Sequence, residues 1–289
     1  MSEGEPPVLV RAEGPILWLT LNRPQAMNAY TAEMGAALAA GFRRADADDA
    51  IRVVVLTSTG RVFCAGADVS AGAGAFDTAS GDGAKNFGVR GSAGAPRDSD
   101  FVRAMRECRK PSIVAFNGSA AGVGLTLTLP CDIRIAAEGA KFGFVFARRG
   151  LVPEAGSAWF LPQIVGLQQA LRWCLTGSLF PASEALAKGL VSEVCAADAL
   201  EARARELALE IAENCAPVSL ALTRRMLWDH GPQATPDGAL GVDAALNIAL
   251  GLMPDVHEGV TAFLEKRAPL FPGKASTDLP ENPWWPAAG

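Results

Sequence analysis

The stretch from Asn117 to Asp132, NGSAAGVGLTLTLPCD, constrains the fold of this chain more than any other segment. It follows a β-rich apolar run at Ile113–Phe116 and leads through small residues into a short apolar helix, predicted over Gly122–Leu129, that Pro130 closes. A helix that begins on glycines leaves its first backbone N–H groups without intrahelical acceptors. Those groups can hold an anion or a developing oxyanion. Because the stretch contains no His, Glu or Lys, any chemistry here must come from the backbone.

Strand-like and helix-like patterns alternate on both sides of this stretch. Two β-rich runs predict a hairpin, and Thr31 is a suitable N-cap for a helix that continues to about Asp46. The other expected elements are the hairpin strands Val8–Ala12 and Ile16–Leu21, a strand at Val53–Thr57 suited to burial on both faces, a helix at Phe101–Arg109 and a strand at Ile133–Ala136. The recurring β–α–β order predicts a mainly parallel sheet covered by helices, which is the α/β class.

The last third of the chain changes character and becomes helical from about Ala182. One strand is predicted at Val191–Val194. The amphipathic helices that follow are expected at Ala197–Asn214, Val218–Asp229, Pro236–Leu252 and Asp255–Lys266. Such apolar stripes often pack on a neighbouring subunit as well as on their own core. We expect WWPAAG to form an ordered or docked tail, and residues 71–99 to form a mobile excursion rather than a domain linker.

Composition narrows the classes of function. Apolar residues make up 49% of the 289 residues and charged residues 20%, which allows a full core and is too apolar for disorder. The net charge of −5 argues against nucleic acid and anionic membranes as partners. No apolar run reaches membrane-spanning length, and the first residues lack the pattern of a signal peptide. We therefore expect a cytoplasmic protein.

Metal, thiol and dinucleotide chemistry are disfavoured. The six cysteines have no CxxC or CxxH spacing, so we interpret them as reduced, mostly buried thiols. His230 and His257 lie at what we expect to be exposed helix ends, which disfavours Ser-His-Asp and Cys-His sites. Neither a GxGxxG motif after a strand nor a P-loop motif is present. The sequence implies no metal site and no redox cofactor.

Several separated segments together resemble the crotonase family, the enoyl-CoA hydratases and isomerases. They are LNRPQAMNAYT (21–31), VFCAGADVS (62–70), IVAFNGSAAGVG (113–124), CDIRIAAEGAKFGF (131–144), GLVPEAGSAWFLPQIVG (150–166), LTGSLFPASEALAKGLVSEV (175–194) and EGVTAFLEKRAPLF (258–271). Their order and spacing carry the resemblance over nearly the whole chain. It implies a spiral core of ββα units at residues 1–196, with the CoA-binding and active site. A helical region at 197–289 would build a homotrimer or a hexamer.

The resemblance implies thioester chemistry on an acyl-CoA, with CoA arriving as part of the substrate. In the family, the thioester oxygen lies between two backbone N–H groups, and the matching positions are Ala67 and Val123. Taking a proton alpha to a thioester, or adding water beta to it, puts negative charge on that oxygen. Removing one such donor typically costs roughly 3–4 kcal/mol. The alternative is that Gly118, Gly122 and Gly124 serve close packing alone.

The chain departs from the family's hydratases at both catalytic glutamates. Those enzymes activate a water between two glutamates, whose positions correspond here to Thr126 and Phe146. A phenylalanine cannot move a proton, and a threonine hydroxyl is too weak a base at neutral pH. Hydration by a pair of glutamates is therefore not expected.

Glu154, in GLVPEAGSAWF, is the carboxylate that remains at a suggestive position. A glutamate there resembles the peroxisomal-type enoyl-CoA isomerases, in which it shuttles a proton between C2 and C4 of a 3-enoyl-CoA. Burial among its apolar neighbours would raise its pKa toward the operating pH. These neighbours are Val152, Ala155, Trp159 and Phe160. The alternative is an ordinary glutamate at a helix N-terminus, favoured there by the helix dipole.

The resemblance also assigns substrate-binding residues. They are Arg23, Ala26, Ala65, Ala67, Asp68, Val69 and Val123. The Arg23 guanidinium is suited to a CoA phosphate, and a solvated loop arginine is the alternative. Asp68 either caps the turn that follows it or touches the CoA arm. Residues 71–99 are expected to flank the acyl pocket as a lid that orders with ligand.

Four further polar residues lie close to these motifs. We interpret Tyr30, the single tyrosine, as a packing residue, and Asp132 as a structural turn residue. Arg148 and Arg149 are suited either to the adenosine end of CoA or to a neighbouring subunit.

The sequence thus predicts isomerisation of a 3-enoyl-CoA to the 2-enoyl form, with Glu154 as the acid and base and with Ala67 and Val123 as oxyanion donors. Two alternatives stay open. One is an enoyl-CoA hydratase that works with Glu154 alone or with an acid such as Asp77 or Asp82. The other is a non-catalytic acyl-CoA-binding protein.

Overall fold

Two β-sheets organise the chain in a computed structural model, which describes residues 5–77, residue 86 and residues 100–285. The strands within these residues are β1 (Val8–Glu13), β2 (Ile16–Leu21), β3 (Val53–Ser58), β4 (Val62–Cys64), β5 (Ser112–Phe116), β6 (Ser119–Ala121), β7 (Ile133–Ala137), β8 (Lys141–Gly143), β9 (Phe180–Pro181) and β10 (Glu193–Cys195). The large sheet has the order β1-β2-β3-β5-β7-β10 and the small sheet β4-β6-β8-β9. The predicted hairpin is β1–β2, which is antiparallel. The other neighbours in the large sheet, β2, β3, β5, β7 and β10, are parallel.

The two sheets are built as turns of a spiral. Three pairs of consecutive strands divide between the sheets: β3, β5 and β7 belong to the large sheet, and β4, β6 and β8 belong to the small sheet. Strands β4, β6 and β8 pair in parallel, whereas β9 closes the small sheet antiparallel to β8. A largely parallel two-sheet spiral requires crossover connections, and helices supply them.

The helices surround this spiral and dominate the second half of the chain. They are α1 (Ala32–Ala47), α2 (Asp100–Glu107), α3 (Val123–Thr126), α4 (Ser157–Val165), α5 (Leu167–Thr176), α6 (Ala182–Ala187), α7 (Leu200–Asn214), α8 (Pro217–His230), α9 (Asp237–Leu250) and α10 (Pro254–Glu265). As predicted, Thr31 caps α1, because its side chain accepts a hydrogen bond from the Met34 N–H.

The hydrophobic core lies on both faces of the large sheet. One cluster joins Val54 and Leu56 of β3 and Phe116 of β5 to Phe63 and other residues of the small sheet and to α1. The second joins the alternate β3 residues to a stripe of α7 that recurs every four residues, formed by Leu200, Ala204, Ala208 and Ala212. The prediction that β3 is covered on both faces is therefore confirmed.

Three predictions of local structure need correction. The helix expected over Gly122–Leu129 ends at Thr126, because the amides of residues 128 and 129 bond three residues back and tighten the chain into turns before Pro130. The last strand is Glu193–Cys195 rather than Val191–Val194. His230 is partly buried rather than exposed, because the folded-back tail places the Trp284 ring against it.

The tail returns to its own chain after α10. The Trp285 indole N–H donates to the Glu107 carbonyl oxygen at the end of α2. The backbone N–H of Gly273 donates to buried Asp255, and the Arg109 guanidinium donates to the carbonyl oxygens of Ala275 and Ser276. The described part of the tail is thus ordered, as predicted, while the last four residues of WWPAAG lie outside the described range.

By length and composition, no single helix in the described ranges could cross a membrane, although α9 and α10, bent by 76° at the break between them, pass the same test as a pair.

Candidate active site

The glycine-rich turn before α3 is pressed against the end of β4. A Cβ on Gly124 would lie 2.5 Å from the Cys64 carbonyl oxygen, and one on Gly118 would lie 2.2 Å from that of Arg61. Gly122 has φ +53°, a conformation that side chains disfavour. These glycines therefore do serve close packing, and the same packing brings the start of α3 beside residues 64–67.

The backbone N–H groups of Ala67 and Val123 are free donors on facing segments. Tyr30 forms an isolated parallel bridge with Ala67, in which the Tyr30 N–H bonds Gly66 and the Asp68 N–H bonds Tyr30. Because successive peptide groups of an extended chain point to opposite sides, the Ala67 N–H points away from Tyr30.

The start of α3 lies on that opposite side. A Cβ on Gly122 would lie 3.9 Å from the Gly66 Cα. Val123 is the first residue of α3, so its N–H has no acceptor one turn back. Within the described residues, neither this N–H nor that of Ala67 donates to a protein acceptor. The structure thus brings together the two donors that the sequence predicted as a pair.

Glu154 reaches the same helix through Thr126. The Thr126 hydroxyl donates a short hydrogen bond to Glu154 Oε1, and Thr126 itself is fully buried on α3, three residues after Val123. The carboxylate is therefore held within one helical turn of a free N–H donor. In the sequence, Thr126 only marks the position where hydratases carry a glutamate. In the structure, its hydroxyl orients Glu154.

Burial raises the pKa of Glu154, although the hydrogen bond from Thr126 opposes the shift. The sequence correctly predicted burial as the cause of the raised pKa, but only two of the four neighbours that it named are buried. Ala155 and Phe160 are buried, but Val152 is 80% exposed and Trp159 is 40% exposed. Glu154 lies in a turn rather than inside a helix, so its sequence neighbours do not form one face.

The turn that carries Glu154 is strained. Ala155 has φ +57° and Gly156 has φ +70°, and α4 begins only at Ser157. A non-glycine residue in the left-handed region costs roughly 1–2 kcal/mol. Glu154 therefore lies just before α4 rather than in its first turn. Strain of this kind often marks a functional site.

The predicted CoA-binding residues lie on two adjoining segments. The Ala65 N–H donates to the Met27 carbonyl oxygen, so the loop that carries Arg23 and Ala26 lies beside the loop after β4. Ala65 and Val69 are exposed and Ala26 is partly exposed. The two loops together offer an open rim next to the free Ala67 N–H.

Arg23 and Asp68 are bound to each other across this rim. The Arg23 guanidinium donates to Asp68 at 2.9 Å, and it also donates to the Ala29 carbonyl oxygen. Asp68 is 5% exposed, and its second oxygen accepts the Ser70 N–H at 3.0 Å, which is the predicted turn cap. The sequence did not indicate this ion pair.

The segment expected as a lid is described only at residues 71–77 and 86. Asn86 is buried, and its amide bonds the Asp68 backbone and the Ala75 carbonyl oxygen. This side of the segment is thus anchored next to Ala67. Asp77 is exposed, and Asp82 lies outside the described residues, as does most of the predicted lid.

The remaining sequence candidates have structural partners. Phe146 lies in the hydrophobic core at 7% exposure. The Arg148 guanidinium donates to the Thr176 carbonyl oxygen and to the Ser178 hydroxyl, and Arg149 donates to the Val145 carbonyl oxygen. Asp132, predicted as a turn residue, accepts hydrogen bonds from Ser112, Arg224 and Trp228.

The cysteines and the possible metal ligands were also located among the described residues. The six cysteines are all free, with three fully buried and three partly buried. No group of three or more His, Cys, Asp or Glu side chains in the described part of the chain could hold a metal ion.

The fold and these groups define a class of protein. A ββα spiral presents two unpaired backbone donors beside one partly buried carboxylate, an arrangement suited to proton transfer next to a developing oxyanion. Residues 11–274 match the family model described as enoyl-CoA hydratase/isomerase. The chain therefore belongs to the enoyl-CoA hydratase/isomerase family, has the crotonase fold and is an enzyme of the crotonase superfamily.

Individual relatives agree with this assignment. The chain is 38% identical to enoyl-CoA hydratase ACTT3 of Alternaria alternata over 91% of this chain and 86% of the relative. It is 34% identical to 1,2-epoxyphenylacetyl-CoA isomerase of Escherichia coli (strain K12) over 92% of this chain and 98% of the relative. The crystal structure of enoyl-CoA hydratase from Mycobacterium tuberculosis H37Rv superposes with a TM-score of 0.81 at 30% identity, covering 93% of this chain and 100% of that chain.

Proposed function

We propose that the protein isomerises 3-enoyl-CoA esters to 2-enoyl-CoA esters, with Glu154 as the sole acid and base. The observation that carries the proposal is the hydrogen bond from Thr126 to Glu154, which holds one carboxylate within a turn of the Val123 N–H. No second carboxylate is needed, because the same group that removes a proton returns it.

The reaction balances with one proton and one electron pair. The Glu154 carboxylate takes a proton from C2, and the electrons of that C–H bond move into the thioester carbonyl to give a dienolate. The N–H groups of Ala67 and Val123 stabilise the negative oxygen, a contribution worth roughly 3–4 kcal/mol per donor. Protonated Glu154 then gives the proton to C4, and the double bond moves to C2–C3.

The environment of Glu154 suits both halves of this cycle. Burial raises the pKa of the carboxyl group, so the acid form is a usable donor, while the hydrogen bond from Thr126 keeps the ionised form accessible. A free carboxylate in water would be too weak a base and would return the proton too readily to solvent.

CoA is proposed to enter with the substrate along the rim formed by the loops of Arg23–Ala26 and Ala65–Val69. The Arg23–Asp68 ion pair would order this rim rather than bind phosphate by itself. The acyl group would then pass between Ala67 and Val123 toward Glu154.

A homotrimer, or a hexamer built from trimers, is the proposed assembly. Large apolar side chains are exposed on and just after α9 and on α10, among them Leu240, Ile248, Leu252, Val260, Phe263 and Leu264. A surface of this kind is typical of a subunit interface. Sedimentation of the wild-type chain is expected to give a trimer or hexamer, and Phe263→Asp is expected to weaken the assembly; a monomeric wild type would contradict this proposal.

Product analysis tests the activity. The enzyme is incubated separately with a 3-enoyl-CoA and a 2-enoyl-CoA, and the products are separated by chromatography. We expect the 3-enoyl ester to give the 2-enoyl ester and the 2-enoyl ester to gain no water. Formation of a 3-hydroxyacyl-CoA from the 2-enoyl ester would favour hydration, the activity in the names of several relatives. Binding without turnover of either ester would favour a non-catalytic protein.

A further inference from the structure

Tyr30 lies next to both halves of the proposed site. Its backbone forms the parallel bridge with Ala67, so the Tyr30 and Ala67 side chains emerge on the same face of that pair of strands. The Tyr30 ring packs against Phe101 of α2, with ring centroids 5.8 Å apart. The charge of Glu154 is close enough to act on the phenol.

The Tyr30 hydroxyl is held against α1, and no described residue forms a hydrogen bond with it. A Cβ on Gly35 would lie 2.3 Å from the hydroxyl oxygen, so the missing side chain on α1 makes the space that the hydroxyl occupies. Among the residues that the structure describes, no hydrogen bond to this hydroxyl exists, and its oxygen is not sealed from solvent. A hydroxyl that is held against α1 in a largely buried, apolar setting, with no hydrogen bond among the described residues, is a group that a ligand can satisfy.

The phenol acts as a hydrogen-bond donor rather than as a base. Burial raises its pKa, and the neighbouring Glu154 and Cys64 raise it further, so the proton stays on the oxygen at any working pH. A neutral phenol beside a carboxylate can donate to an uncharged oxygen without competing for the proton that Glu154 carries.

We propose that the Tyr30 hydroxyl is a specificity-determining donor that selects acyl-CoA esters whose acyl chain carries a hydrogen-bond-accepting oxygen. This proposal rests on the acyl-CoA site proposed above. An unbranched hydrocarbon chain leaves the hydroxyl unsatisfied when it displaces water, whereas a keto, ether or hydroxyl oxygen on the chain accepts the bond. Sites that are built to bond an oxygen reject analogues that lack it.

Binding of saturated esters tests this selectivity without relying on turnover. The probes are hexanoyl-CoA, 4-oxohexanoyl-CoA and 5-oxohexanoyl-CoA, titrated calorimetrically into wild type, Tyr30→Phe and Thr57→Val. Tyr30→Phe removes only the hydroxyl and keeps the packing on Phe101. Thr57→Val is the matched control, because it removes a β3 hydroxyl that bonds the Ala115 carbonyl oxygen.

We expect wild type to bind one oxo ester about tenfold more tightly than hexanoyl-CoA, the size of one net hydrogen bond. Tyr30→Phe is expected to lose that preference and to bind hexanoyl-CoA at least as tightly as wild type does, because no hydroxyl is left unsatisfied. Thr57→Val is expected to keep the preference. If wild type shows no preference, or Tyr30→Phe keeps it, the role of Tyr30 is wrong while the acyl-CoA site stands. If no ester binds at all, the proposed function fails and this inference fails with it.

Discussion

Two carboxylates of this chain occupy opposite kinds of environment. Asp132 accepts hydrogen bonds from the Ser112 N–H and hydroxyl, the Arg224 guanidinium and the Trp228 indole, at 2.7–2.9 Å. Glu154 accepts one from Thr126, and no cation pairs with it among the described residues. Both lie in turns that connect elements, so location in the chain does not distinguish them.

The number of hydrogen-bond donors distinguishes Asp132, a structural carboxylate, from Glu154, the proposed acid and base. Asp132 and buried Arg224 join α8 to the start of β7, and every donor around them is aimed at a fixed charge. Glu154 lacks such donors, so its charged form is less stabilised, and the pKa of its carboxyl group is raised. The raised pKa makes Glu154 the carboxylate of the two that is suited to acid–base chemistry, while Asp132 serves as a fixed acceptor that joins elements.

The largest expected effect is on turnover by Glu154→Gln. The amide keeps the shape and can still accept from Thr126, but it cannot take a proton from C2. Because general acid–base groups contribute about 10²–10⁴-fold, we expect kcat for isomerisation to fall at least about 10³-fold. Steady-state kinetics with a 3-enoyl-CoA measures this, and titration with hexanoyl-CoA should show unchanged affinity. An unchanged kcat would move the acid–base role away from Glu154.

Asp132→Ala is expected to act on stability. It leaves the Arg224 charge, 6% exposed, without its carboxylate, and breaking a buried pair typically costs about 3–5 kcal/mol. Urea denaturation measures the loss. Glu193→Gln is the matched control, because the Arg203–Glu193 pair is about one-third exposed and should contribute no more than about 1 kcal/mol. If the two variants lose equal free energy of unfolding, the hydrogen bonds around Asp132 do not stabilise the fold more than an exposed ion pair does.

Val123→Pro removes one oxyanion donor and little else. Proline is well tolerated at the first position of a helix, where the N–H has no intrahelical acceptor. We expect kcat/KM to fall about 10²–10³-fold with a near-native thermal midpoint. Val123→Ala keeps the N–H and should retain most activity. If the alanine and proline variants are equally active, the Val123 N–H does not hold the oxyanion.

Thr126→Val is expected to move the pH dependence rather than abolish activity. The Thr126 hydrogen bond lowers the pKa of Glu154 against the effect of burial, so its loss lets that pKa rise. Because the carboxylate form is the base, kcat/KM falls as pH drops through this pKa, and the acidic limb should shift to higher pH. Thr126→Ser keeps the donor and should retain the wild-type profile. A limb that does not move in Thr126→Val would exclude Thr126 as the partner that tunes Glu154.

Much of the fold was predictable because its signals are local. The strand runs, the Thr31 cap and the helical second half follow from periodicity and capping within short windows. The ββα spiral followed from the resemblance and is confirmed, whereas the division at residue 196 stays a prediction. Local errors, such as the shortened α3, arise where tight turns compete with helix near Pro130.

Single site residues could be predicted from sequence motifs, but the contacts between them could not. Ala67, Val123 and Glu154 could be proposed from motifs. The structure places the first two on facing segments, and it places Glu154 in the turn before α4, where it accepts a hydrogen bond from Thr126 of α3. The pairings Thr126–Glu154 and Arg23–Asp68 join residues 28 and 45 positions apart. Such contacts depend on how turns of the spiral stack, which no short sequence window encodes.

Proton exchange at the acyl chain is the most direct test of the proposal that Glu154 is the acid and base. Wild type and Glu154→Gln are incubated with a 3-enoyl-CoA in deuterated water, and deuterium at C2 and C4 is followed by mass spectrometry and NMR. We predict that wild type incorporates deuterium at both carbons of the ester and that Glu154→Gln does so at least about 10²-fold more slowly. Exchange and conversion at the wild-type rate in Glu154→Gln would contradict the role assigned to Glu154, whereas conversion by wild type with little deuterium uptake would mean that the same proton is carried from C2 to C4.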